Sequence, residues 1–406
     1  MAEENKLVKK LIPNKGYFDY NLLAVVVILI CFGLVMLYSA SAYDATSTFG
    51  DDMYYLKRQI LTTLLAIAVM LVIMTIDYHT LVRLSPALYF VSILLMAMVK
   101  YTPFGVEVNG ARRWLRLGIQ FQPSEIAKIA VILILVFMIK RFGREAGRFT
   151  NTFFMFVVGF LPGIAAYYFT ENLSTALIII GICSGIVFVS HPKTVPFIVL
   201  FIVIAALAIG GLIYLIHNFE SSDSFRIVRI MTWRNPEKYA DLGGWQVLQG
   251  LYAIGSGGFF GKGLGSSTQK LDIIPEAQND MIFSIICEEL GLFGAIIVVL
   301  LFAYLLFRLI VIAQNAPDKQ GSLIATGVFV HIALQVILNI SVVLNVIPTT
   351  GITLPWISYG GTSVLFLMSE IGIVLRVSAQ IDPKVLSPAR AARARKRALR
   401  RQRQKT

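Results

Sequence analysis

The sequence predicts an all-α integral membrane protein of about ten transmembrane helices, with one large extracellular loop between spans 7 and 8. Composition, run length and charge placement lead there. Apolar residues make up 57% of the 406 positions and charged residues 15%, against the roughly one-quarter charged composition of soluble domains. The mean hydropathy is +0.74. Apolar runs at 22–37, 60–76, 126–139 and 195–216 approach or exceed the ~20 residues that cross about 30 Å of hydrocarbon at 1.5 Å each. In hydrocarbon each run must satisfy its own backbone, which makes it a helix.

In chain order the spans fall near 21–43, 59–76, 83–100, 122–140, 152–170, 174–190, 194–217, 281–310, 321–345 and 357–380. Residues 1–20 form an N-terminal cytoplasmic tail, 21–380 the membrane body with its loop at 218–280, and 381–406 a basic cytoplasmic tail. The first run follows Lys6, Lys9, Lys10 and Lys15 without a small-residue cleavage site, so it reads as a signal anchor. An even number of spans puts both termini on one side. Three groups fall in predicted cytoplasmic loops, as the positive-inside rule asks: Lys140, Arg141, Arg144 and Arg148; His191 and Lys193; Arg308 and Lys319.

The net charge of +13 is concentrated in the last tail. Next to a span such a tail marks the cytoplasmic side and touches anionic lipid, rather than nucleic acid. Cys31, Cys183 and Cys287 lie in or at the edge of apolar helices with no metal-ligand spacing, and read as packing residues.

The polar motifs gather on the predicted outer side. Arg112, Arg113 and Arg116 break the positive-inside rule beside Trp114; they either cap helix ends or meet an anionic group at the membrane surface. In the long loop, aromatic residues at helix-like spacing precede a glycine-rich turn at 255–265 containing Lys262. Lys262 is followed by Gly263, so this is no P-loop, and it does not match GxGxxG. It is either a flexible turn or a backbone cradle for a pyrophosphate, with Lys262 supplying charge.

Glu276 and Asp280 lie four residues apart before the eighth span. If helical, they share a face, where they could hold a cation or divide proton duties; the helix dipole alone would also favour acids there. Glu125 and Lys128 open the fourth span at spacing i, i+3, suited to pairing inside the bundle and to lining a substrate groove. Finally, the run at 348–363, containing Ser358, Gly360 and Gly361, punctuates the join between spans nine and ten with two prolines and three glycines. At membrane depth such backbone is tolerated only where it is buried in protein or lines a polar cavity. Gln335, Asn339 and Asn345 on span nine add polar groups suited to bonding between helices.

Taken in order, Asp19-Tyr-Asn-Leu-Leu, Gly33-Leu-Val-Met-Leu-Tyr-Ser-Ala-Ser, Asn109-Gly-Ala-Arg-Arg-Trp, Gln122-Pro-Ser-Glu-Ile-Ala-Lys, Arg226-Ile-Val-Arg-Ile, Ala253-Ile-Gly-Ser-Gly-Gly, Glu288-Glu-Leu-Gly and the run at 354–361 resemble the SEDS family (shape, elongation, division and sporulation). The likeness covers nearly the whole chain. The stretch at 263–271, with Gln269, followed by Pro275-Glu-Ala, looks more like the FtsW-like division branch than the RodA-like one, and a sporulation paralogue would look much the same.

The resemblance implies a peptidoglycan glycosyltransferase that joins lipid II on the outer face of the bacterial cytoplasmic membrane at the division septum. It would work with a class B penicillin-binding protein and other division membrane proteins. The family's general base closes a Pro-Glu-x-His-Thr-Asp pattern, which places the catalytic role on Asp280; Gln278 and Asn279 stand where His and Thr are usual. Arg112, Arg113, Glu125, Lys128, Lys262, Gln269, Glu276, Ser358, Gly360 and Gly361 are its candidate substrate contacts. No cofactor is certain, a divalent cation (Mg or Mn) stays open, and no residue is assigned as a metal ligand. Glu171-Asn-Leu-Ser-Thr departs from the family's Pro-Asp-Leu-Gly-Thr, so no role is carried over there. The rivals are a lipid II flippase or other transporter, which needs a polar path through both halves of the bilayer, and a non-enzymatic scaffold recruiting a synthase. A channel would want charged rings or a repeated filter, and neither is visible.

Overall fold

The computed structural model describes residues 17–108, 110–218, 225–271 and 273–382; the two tails, 1–16 and 383–406, lie outside the described residues. Ten helices stand where the hydropathy predicts spans. They are α1 (Tyr20–Phe49), α2 (Tyr54–Thr75), α3 (Tyr78–Tyr101), α4 (Pro123–Phe142), α5 (Phe149–Thr170), α6 (Leu173–Ser190), α7 (Val195–Asn218), α10 (Ile282–Asn315), α11 (Lys319–Val343) and α12 (Ser363–Ser378). By length and composition seven of these can cross a membrane alone. α7, 24 residues without a charged side chain, matches them in length and composition; the charged α4 and α12, which at 16 residues is about 24 Å long, do not. The tenth helix starts later than the predicted 357 because residues 348–362 run as extended chain and turns.

The helical body is apolar on both sides of its walls. Leu61, Leu64, Leu71, Phe90, Leu94 and Phe153 project outward, as a lipid-facing surface requires. α4 is buried almost all round, from Pro123 to Ile139, which is why its apolar residues show no one-sided stripe. Against it pack α3, α5, α6 and α11, while α12 lies along α2.

The two ends of the described chain meet. Tyr17 N–H donates to the Ile381 carbonyl at 3.0 Å, and Asp19 N–H to Ser378 Oγ at 3.3 Å. Buried Asp19 caps α1 through Leu22 N–H and pairs with Arg308 at 2.6 Å. Arg308 lies near the far end of α10 from Asp280, so the two described ends share one face and Asp280 sits at the other.

Two local readings are corrected. The connection between α3 and α4 is a three-stranded antiparallel sheet, β1 (Gly105–Val108), β2 (Ala111–Leu117) and β3 (Ile119–Phe121). The arginines at 112, 113 and 116 therefore ride a strand rather than cap a helix. Val108 pairs with Ala111, and Gly110 at φ 72° supplies the left-handed backbone of a two-residue hairpin. Residues 275–281 are turns, with Glu276 at φ 50°. Glu276 and Asp280 thus do not share a helical face, because α10 begins only at Ile282.

The long loop is ordered where described: α8 (Phe225–Arg234) and α9 (Gly244–Gly257) precede the glycine-rich turn. That turn lies against α10 so closely that a Cβ at Gly261 would sit 2.2 Å from the Glu289 carbonyl. Opposite it, Gly291 breaks α10 with non-helical φ 67°, a conformation open chiefly to glycine.

Candidate active site

Asp280 is held by its backbone. Asn339 Nδ2 on α11 donates to the Asp280 carbonyl at 2.8 Å and to the Ile352 carbonyl at 2.7 Å, tying the start of α10 to the 348–362 segment. Gln278, just before it, is buried; its side chain donates to Asp44 Oδ2 at 3.2 Å and its carbonyl accepts from Tyr359 N–H at 2.9 Å. Asn279 Nδ2 donates to Glu276 Oε2 at 2.9 Å. Where the resemblance led us to expect His and Thr, this chain uses two amides as braces.

Burial is the main force on the Asp280 carboxyl and the nearby Glu276 adds to it; a hydrogen bond from its own backbone N–H and, to a lesser extent, the Arg229 guanidinium oppose them, and the result is a group pushed up to about 6. Arg229 donates to the Thr349 carbonyl at 3.1 Å. Burial lowers its affinity for a proton, and Arg113 lowers it further while Asp280 raises it. Arg113, lowered by burial, feels Glu171, and its Nε is buried with no partner. Asp280, Glu276, Arg229 and Arg113 thus form one electrostatic group, assembled from the α10 approach, α8 and β2.

The other predicted contacts separate. Arg112 is exposed and donates to the Gly105 carbonyl at 3.3 Å. Glu125 and Lys128 pair with each other at 2.8 Å, both buried. Lys262 pairs with Glu288 at 2.6 Å, and Gln269 N–H reaches the same carboxylate at 3.4 Å, so both belong to the clamp of the glycine-rich turn. Ser358 Oγ accepts from Leu354 N–H at 2.8 Å, and the Gly360 carbonyl accepts from Ser363 N–H at 2.8 Å. Together with Gly361 at φ 47°, they shape the turn that carries Tyr359 to Gln278. Among the described residues no three His, Cys, Asp or Glu side chains converge as a metal site.

Arg229 is the residue that sequence reasoning passed over. Its motif was visible, but its partners lie far away in sequence.

Comparison with known proteins finds relatives along almost the whole described chain. Residues 20–382 match the FTSW_RODA_SPOVE family of cell cycle proteins. The stage V sporulation protein E of Bacillus subtilis is 37% identical over 89% of this chain and 96% of its own length. A probable peptidoglycan glycosyltransferase FtsW from Trichlorobacter lovleyi is 36% identical over 89% of this chain and 93% of its own. Among solved structures, a chain of a peptidoglycan synthase complex, studied for its coordination of polymerization and crosslinking, superposes with TM-score 0.73 at 28% identity. That match covers 90% of this chain and 99% of the other. The rod shape determining protein RodA of Thermus thermophilus gives TM-score 0.63 at 27% identity, covering 89% and 96%.

Proposed function

Because the chain belongs to the FtsW/RodA/SpoVE family of cell cycle proteins, we propose that it is a peptidoglycan glycosyltransferase polymerising lipid II, with Asp280 as its general base. The observation that carries this reading is a half-buried carboxylate, pushed up to about 6 by burial, that faces Arg229 with Arg113 behind it, at the mouth of an apolar helical bundle. Names in the relatives include FtsW and a sporulation protein, in keeping with the FtsW-like branch and septal wall synthesis. The site face is the outer face, which leaves ten spans crossing the membrane and both tails in the cytoplasm.

In the reaction, the 4-hydroxyl of the acceptor sugar attacks the anomeric carbon of the lipid-linked chain. A glycosidic C–O bond forms, the bond to the pyrophosphate oxygen breaks, and Asp280 takes the hydroxyl proton. Arg113 and Arg229 face the pyrophosphate charge that develops. The donor's own phosphoglycosyl bond drives the step. A divalent cation would lean on the substrate's phosphates, as Mg commonly does, and would add charge to the same leaving group. A groove of about 680 Å³ between α1, α2 and the glycine-rich turn, lined by Leu34, Val35, Tyr38, Met53 and Leu56, suits the isoprenoid tail.

The class B penicillin-binding partner supplies the test. The chain co-purified with such a partner, its crosslinking site blocked by a β-lactam, is expected to turn labelled lipid II into glycan resolvable on a gel. No polymer from an intact complex would overturn the enzyme reading, and accelerated lipid II flipping by the same preparation would replace it with transport.

The pH profile is a second test. Asp280 serves as base only when ionised, so kcat/KM should be level above about pH 6 and fall about ten-fold per unit below it. Arg229→Met removes the cation that holds this carboxyl down, so its acid limb should move to higher pH. A limb that stays near the ordinary carboxylate range in both proteins would contradict the assignment.

A further inference from the structure

Asn339, which holds the Asp280 carbonyl, is the outermost of three polar residues on one face of α11. His331, Gln335 and Asn339 recur every four residues, the spacing that stacks side chains along a helix. All three are at least nine-tenths buried, and His331 sits at the midpoint of α11. Each uses one end of its side chain. His331 Nδ1 is 2.8 Å from Glu370 Oε2 on α12, Gln335 Nε2 donates to the Thr353 carbonyl at 3.0 Å, and Asn339 Nδ2 donates to the Asp280 and Ile352 carbonyls. Each also leaves a buried polar atom without a protein partner: His331 Nε2, Gln335 Oε1 and Asn339 Oδ1. The segment facing this end of the bundle repeats the pattern at Thr350 Oγ1, Trp356 Nε1 and Thr362 Oγ1.

A buried polar atom left unpaired costs about 1–3 kcal/mol, so a row of them on one helix face calls for a common partner. Four residues of helix rise about 6 Å, which is the span of two hydrogen bonds of about 2.8 Å through one water. Buried water is retained where a site gives each molecule polar partners, and a water between successive residues of this row would have an unpaired atom on either side of it.

We infer that a file of buried waters runs along the His331–Gln335–Asn339 face of α11, from the mid-membrane His331–Glu370 pair to the residue that fixes Asp280. Gln335 and His331 are then positioning residues, acting on Asp280 through water and Asn339. The file rests on the structure alone; its catalytic consequence rests on the reading of Asp280 as the base. It stops at the middle of α11, so it hydrates one half of the bundle and supplies no through-path.

The test uses the full chain with its penicillin-binding partner in lipid nanodiscs, exposed to hydroxyl radicals made from water by X-rays. His331 and Trp356 are expected to be oxidised although buried, while the equally buried, apolar-packed Phe302 and Met36 stay unmodified. Gln335→Leu, which breaks the file with a side chain of similar size, should cut His331 oxidation at least several-fold. It should also lower kcat for polymerisation by roughly ten-fold with KM for lipid II unchanged. Gln335→Met serves the same purpose if the leucine variant does not accumulate, and Gln335→Asn plus its water should restore part of kcat. Oxidation of His331 and Trp356 no greater than that of Phe302 overturns the water file, whatever the activity. Loss of His331 oxidation in Gln335→Leu with wild-type kcat overturns the positioning role. A wild-type complex that polymerises nothing overturns the enzyme reading and leaves the footprint to decide the waters.

Discussion

Asp280→Asn is expected to reduce glycan polymerisation by about 10²–10⁴-fold, the contribution typical of a positioned general base, equivalent to about 3–5 kcal/mol of transition-state stabilisation. The substitution is isosteric and keeps the backbone carbonyl that Asn339 grips, so the start of α10 should not shift. What disappears is the acceptor for the hydroxyl proton and the negative charge facing Arg229. Because the lost interaction is made in the reaction and not in binding, the fall should appear in kcat with KM for lipid II nearly unchanged. Partner binding and thermal stability are the controls. Asp280→Asn with a tenth or more of wild-type activity would take the base role away from this residue.

Comparison with Arg113→Ala separates the proton from the pyrophosphate. Arg113 lies on β2, electrostatically coupled to Arg229 rather than directly to Asp280, so its loss should weaken leaving-group stabilisation while the acid limb of the profile stays near that of the wild type.

The helices were legible in the sequence for a physical reason: hydrocarbon demands long, internally bonded apolar runs, and a run such as α1 or α10 can be recognised without knowing its neighbours. Glu125 and Lys128 were legible as a pair for a similar reason, since i, i+3 spacing is local. The small sheet was missed although Asn109-Gly110 is a strong hairpin signal, because its strands are short and sit between two helices. A shared face for Glu276 and Asp280 required a helix there, and the positive φ of Glu276 breaks it in a turn tied to distant residues through Gln278. Arg229 and the His331–Glu370 pair could not be found by spacing, since each is defined by contacts between elements distant in the chain. Lys262 was read as a charge for a pyrophosphate, whereas in the structure it pairs with Glu288, which pattern alone left without a role.

Glu289→Ala is expected to be the most destabilising single change, by about 3–5 kcal/mol, the range found when a buried ion pair loses one member. Glu289 is fully buried in α10 and pairs with Lys270 at 2.7 Å. It also accepts from Ser39 Oγ of α1 at 2.7 Å and from Ser267 N–H at 3.4 Å. Removing it leaves the Lys270 ammonium, 9% exposed, with Ser39 Oγ at 3.0 Å as its remaining contact. Lys262→Ala should cost far less. Its partner Glu288 keeps Thr268 N–H, Thr268 Oγ1, Gln269 N–H and Ser267 Oγ as donors, and Lys262 is already one-third exposed. If the pair is the cause, Glu289→Leu with Lys270→Met should recover most of the lost stability, because well-packed apolar residues replace buried pairs at little net cost. Thermal unfolding of the three variants in detergent decides this, and a Glu289→Ala melting temperature equal to wild type would remove the clamp from the account of the fold. The same clamp fixes Lys270 and Gly265 in the wall of the groove between α1 and α2. A recovered double variant that still polymerises poorly would therefore separate the stability of the loop from the shape it gives to the substrate's path.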